Sequence, residues 1–107
     1  MSKNLDELGL KSIADDYDIF FIDIWGVIHN GIDLYQTSVE VLSQIEKLNK
    51  RYVLLTNAPR PNKTVIEFLK KLGLDEDKCK QVYTSGESAL KYLEKNLKTN
   101  KFFHIGP

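Results

Sequence analysis

The sequence predicts an α/β fold, a parallel sheet covered by helices, and three observations carry that expectation. Short, nearly continuous apolar runs recur at residues 19–22, 52–55, 81–83 and 102–105. They are rich in β-branched and aromatic residues, which suits strands buried on both faces, as in a parallel sheet. Amphipathic stretches long enough for crossover helices lie between them. The resulting order, α-β-α-β-α-β-α-β, implies right-handed crossovers and places ligands beyond the carboxyl ends of the strands.

The helices are marked in turn. Residues 1–16 read as a short leading helix with Leu5, Leu8 and Ile13 turned inward. Thr37-Ser38-Val39-Glu40 has the form of a capping box, and Val39, Leu42, Ile45 and Leu48 follow at helical spacing. Thr64-Val65-Ile66-Glu67 repeats the pattern ahead of Phe68, Leu69 and Leu72, with Gly73 as the stop. A third helix is expected over residues 86–96, capped by Ser85, with Ala89, Leu90, Leu93 and Leu97 on one face.

Composition narrows the function classes. The chain of 107 residues has 42% hydrophobic and 28% charged residues, as a soluble globular domain does. Fifteen basic and fifteen acidic side chains cancel, which argues against a nucleic-acid or anionic-membrane partner. A single cysteine, Cys79, excludes an internal disulfide and a multi-cysteine zinc site, and without a CxxC partner it reads as an inert thiol. Residues 1–10 lack the apolar core of a signal peptide, and no apolar run approaches the roughly 20 residues that span a bilayer. A cytoplasmic setting is expected.

The chemistry is expected where the strands end. Asp23 directly follows four large apolar residues, so its carboxylate is placed at the rim of the sheet in a partly desolvated position. Gly26 and Gly31 shortly after it suggest a tight turn and a close backbone approach. Thr56 and Asn57 end the second run with a hydroxyl and a backbone N–H, groups that bind a phosphate oxygen without competing for a metal. Pro59 and Pro61 stiffen the following loop and would hold Arg60 out towards a substrate anion. An aspartate and a threonine on neighbouring strands make a phosphoryl-transfer site: the carboxylate attacks phosphorus to give an aspartyl-phosphate. Its charge must be offset by a divalent cation, with Mg²⁺ the usual choice for oxygen ligands.

On these residues the sequence resembles the haloacid dehalogenase-like superfamily, subclass IIA, which includes the NagD-like phosphatases. Phe20-Phe21-Ile22-Asp23-Ile24-Trp25-Gly26-Val27-Ile28 matches the first family motif, and Val53-Leu54-Leu55-Thr56-Asn57 the second. The resemblance implies a three-layer, Rossmann-like α/β/α core. It implies Asp23 as nucleophile and metal ligand, Trp25 as a metal ligand through its backbone carbonyl, and Thr56 with the Asn57 N–H as phosphoryl binders. The substrate would be a small phosphorylated metabolite, and the cofactor Mg²⁺.

Two departures from the family pattern qualify the expectation. The general-acid aspartate two residues after the nucleophile is replaced by Trp25, whose indole can only donate a hydrogen bond. Losing a general acid costs about 10²–10⁴ in rate, less for leaving groups that need little protonation. The lysine and the later acidic pair that complete such sites are not found in this sequence. Residues 1–84 are accordingly expected to be the N-terminal half of the catalytic core, and residues 85–107 a helix and strand leading into a cap domain. On this view the chain is a fragment, inactive alone. The competing reading is a phosphate-ligand binding or regulatory module that keeps the fold without the chemistry. A phospho-accepting receiver domain fits poorly, because the first run ends in one carboxylate and the second in none. A half-sheet leaves an apolar edge uncovered, so self-association, as a homodimer, is also expected.

Overall fold

The computed structural model describes residues 4–106. A short helix, α1 (Leu5–Leu8), and two 3₁₀ turns (Leu10–Ser12 and Ala14–Asp16) lead into strand β1 (Ile19–Asp23). Helix α2 (Gln36–Lys47), strand β2 (Arg51–Thr56), helix α3 (Asn62–Lys71), the single turn α4 (Glu76–Cys79), strand β3 (Val82–Thr84) and helix α5 (Ser85–Asn96) follow. The sheet has three strands in the order β1-β2-β3, all parallel. The α/β architecture with a helix-flanked parallel sheet is as the sequence predicts.

Register explains which side chains are inside. Ile22 pairs with Leu54, and Leu54 with Val82, so these three share one face of the sheet. Leu42 and Ile45 of α2 and Leu69 of α3 pack there with Leu54, Val82, Tyr52, Leu74 and Cys79. The other face carries Phe21, Asp23, Leu55 and Tyr83, all exposed. Lys91 of α5 lies 5.3 Å from the centre of the Tyr83 ring, which puts α5 on that second side. Beneath the core, Lys78 and Tyr52 both donate to the Glu46 carboxylate, at 2.9 and 2.8 Å. That clasp ties α4, β2 and α2 together at the end of the sheet away from Asp23.

Four details differ from the sequence reading. Gly9 (φ +70°) closes α1 after one turn, so Leu5 and Leu8 remain exposed while Leu10 and Ala14 point inward and Ile13 is half-buried. Residues 1–3 of the expected leading helix lie outside the described residues. The capping boxes do not cap: α2 and α3 start earlier, at Gln36 and Asn62, which leaves Thr37 and Thr64 inside them. The Ser38 hydroxyl instead donates to the Val27 carbonyl at 2.6 Å, and Leu48, at the end of α2, is half-exposed. The cap of α5 is Thr84 rather than Ser85, its hydroxyl accepting from the Glu87 N–H at 2.9 Å. Residues 102–105 form no strand; Phe103 is 91% exposed. An extended segment becomes a strand only by pairing, and no described strand lies beside it.

Candidate active site

The turn after β1 is built by alternation. Ile24 and Ile28 are buried plugs, and the N–H groups of Val27 and Ile28 both donate to the Ile24 carbonyl, at 3.2 and 2.8 Å. Gly26, at φ +80°, lets the chain reverse so that its N–H reaches the His29 carbonyl at 2.8 Å. Anchoring Ile24 and Ile28 inside leaves Asp23 and Trp25 outside. Asp23 is exposed, and its carboxylate makes no hydrogen bond or ion pair with the described residues. The expected desolvation of its carboxylate is therefore absent, because the sheet face around it is open.

Asp23 pairs with Leu55, so Thr56 lies one residue further along, at the rim of the sheet. The Thr56 Oγ1 accepts from the Ala58 N–H at 3.2 Å, a local turn that leaves the hydroxyl proton available to a ligand. Asp23, Thr56 and Asn57 line one cleft of about 550 Å³, with Phe21, Tyr83 and Ser85 around them. The structure thus brings three of the sequence-predicted residues together at the carboxyl ends of the strands. Arg60 is not among them. It is exposed and lines a separate groove with residues of α5, outside the Asp23 cleft. No lysine among the described residues lines the Asp23 cleft.

The loop that carries Asn57 is held by the β3–α5 junction. The Thr84 hydroxyl donates to the Arg60 carbonyl, and the Gly86 N–H donates to the Ala58 carbonyl at 3.0 Å. Asn62 accepts from the Thr84 N–H at 2.9 Å, and its own N–H donates to Glu87 at 3.0 Å. A Cβ on Gly86 would come within 2.4 Å of the Arg60 nitrogen, so the two backbones touch because this residue is glycine. In the sequence residues 84–87 read as a helix start capped by Ser85; their pinning role depends on contacts some 25 residues away.

His29 was also missed. It is 7% exposed, stacks on Trp25 with ring centres 5.2 Å apart, and meets Phe68 edge-on at 5.3 Å. Its Nδ1 accepts from the Gly31 N–H at 2.8 Å, and burial lowers its pKa below the ordinary value. Gly31, at φ +94°, passes so close to the indole that a Cβ would lie 2.9 Å from Trp25 Cη2. Among the described residues no group of three or more His, Cys, Asp or Glu could hold a metal. Asp23 therefore offers one carboxylate to a hard cation and is no protein-only cage.

This geometry agrees with the comparisons. Residues 20–107 match the haloacid dehalogenase-like hydrolase family, and the chain belongs to it. A crystal structure of a haloacid dehalogenase-like hydrolase from Brucella suis 1330 shares 32% identity over 91% of this chain, with a TM-score of 0.79. A 4-nitrophenylphosphatase from Thermotoga maritima shares 26% identity over 79% of the chain, with a TM-score of 0.68. The chain spans 35% of the first of these structures and 33% of the second. A comparison with curated proteins found no match. No helix among the described residues is long and apolar enough to cross a membrane.

Proposed function

We propose that this chain carries the nucleophile half of a Mg²⁺-dependent phosphatase acting on a small phosphorylated metabolite in the cytoplasm. One observation supports it above the rest: an accessible, unpartnered Asp23 shares a cleft with Thr56 and Asn57 at the carboxyl edge of a parallel sheet. In the proposed reaction an Asp23 carboxylate oxygen bonds to phosphorus as the bond to the leaving oxygen breaks. Water then attacks the aspartyl-phosphate and releases inorganic phosphate. The Thr56 hydroxyl and the Asn57 N–H would hold the phosphoryl oxygens. The Asp23 carboxylate and the Trp25 carbonyl would hold Mg²⁺, with water and substrate oxygens completing its shell. The cation's part is to offset the charge between nucleophile and phosphate.

Turnover of a phosphomonoester by the full-length protein, with and without EDTA, tests this. Asp23→Asn should lower kcat by at least about a thousandfold, as loss of a nucleophile does. Because Asp23 is exposed and unpartnered, the melting temperature should scarcely move. Equal rates for wild type and Asp23→Asn would refute the proposal. A second reading, a module that binds a phosphate ligand without turning it over, is favoured by the lack of lysine in the cleft among the described residues and by Trp25 in the acid position. Specific phosphate binding with no turnover by the full-length protein would select it.

A further inference from the structure

Beside the Asp23 cleft lies a second cavity, of about 400 Å³, with a different character. Trp25, His29, Val65 and Phe68 line it, and it shares Thr56 and Asn57 with the Asp23 cleft. A phosphoryl group held by Thr56 and Asn57 would therefore have the Asp23 cleft on one side and an aromatic neighbourhood on the other. The indole is 62% exposed, although it is the largest apolar side chain near the site. It is nonetheless fixed in place: one side rests on the His29 ring and its far edge on Gly31. An exposed aromatic ring held by its neighbours is a ready stacking surface, with little conformational freedom left to lose on binding.

We propose that this cavity is a specificity site that takes the leaving group of the phosphomonoester, and that it selects a flat, largely apolar ring stacked on Trp25 and bordered by Phe68. The inference rests on the phosphatase reading and narrows its substrate class. It also fits the chemistry of the position. A site with tryptophan in place of a general acid serves best a leaving group that departs with little protonation, as an aryl oxide does. A ring bound there needs no hydrogen-bonding partner, and the cavity wall opposite Thr56 and Asn57 offers mostly carbon.

Trp25 is the single tryptophan of these 107 residues, so the part of the emission change lost in Trp25→Phe reports on occupancy beside it. The full-length protein with Mg²⁺ would be titrated with phenyl phosphate, methyl phosphate and inorganic phosphate, following fluorescence and, for the variants, heat of binding. Phenyl phosphate should bind roughly five- to tenfold more tightly than methyl phosphate, the size expected of one aromatic pair, and shift the emission. Trp25→Phe should keep most of that preference. Trp25→Ala should reduce the ratio to within about twofold. Phe68→Ala, on the surface of α3, should also shrink it, and serves if Trp25→Ala does not fold. Equal affinity for the phenyl and methyl esters, or a preference that survives both alanine variants, would overturn the inference and leave the phosphate site standing. Failure of all three ligands to bind would remove the phosphate site and this inference with it.

Discussion

At Asp23 the side chain points outward because the residues on either side point in. Ile22 belongs to the core side of the sheet and Ile24 is buried, so strand alternation carried into the turn leaves the carboxylate at the open rim. That much was legible in the sequence as an acid following four apolar residues. The degree of exposure was not, since it depends on what covers the neighbouring face. His29 is the opposite case, a polar residue in a loop that turns out to be buried against Trp25 and Phe68. Nothing in its immediate neighbours announced this. Burial holds the imidazole below its ordinary pKa of 6.5, so the folded state resists a proton that the unfolded chain accepts. Its contribution to stability is then complete above about pH 6.5 and is lost as the pH falls below that value. Melting temperature should drop between pH 7.5 and 5.5, and His29→Gln should flatten that slope, by no more than about 1.4 kcal/mol per pH unit, the limit for one proton. An unchanged slope in the variant would show that another group governs the acid side.

Among the elements, the apolar runs of β1, β2 and β3 located the strands to within a residue or two, because short runs of β-branched and aromatic residues favour extended, paired backbone. Helix starts were less legible. Ser and Thr three residues ahead of Glu look like caps, yet α2 and α3 begin at Gln36 and Asn62, where tertiary bonds decide the matter. The side chain of Asn62 is engaged by the Thr84 N–H and its backbone N–H by Glu87, a requirement no local window contains. The same junction explains Arg60: its carbonyl is taken by Thr84, and the residue lines the groove beside α5, outside the Asp23 cleft. Gly86 is the tightest point of this arrangement. Gly86→Ala would drive a methyl group into the backbone of Pro59 and Arg60, costing about 1–3 kcal/mol. For a domain of this size that lowers the melting temperature by roughly 5–15 °C, which a thermal scan would detect. An unaltered melting temperature would mean that the loop is not pinned there.

Over the whole molecule, the sequence foretold the family through Asp23 and Thr56, and the fold and comparisons bear that out. The last expected strand was legible as an apolar run but does not form, since pairing needs a neighbour that composition cannot supply. What remains exposed is apolar: Phe21, Leu55 and Tyr83 on the sheet, Leu90 on α5, and Leu97, Phe103 and Ile105 beyond it. Patches of this kind associate in water. Light scattering of this 107-residue chain at roughly 50 μM should therefore give a mass of a dimer or larger, and a monomeric mass would contradict it. The central claim is that Asp23 itself takes the phosphoryl group. The most direct measurement is to quench the full-length protein during turnover of a phosphomonoester, reduce it with borohydride and map the peptides. The account predicts reduction at position 23 alone, lost in Asp23→Asn; turnover with position 23 unmodified, or reduction at another carboxylate, would contradict it.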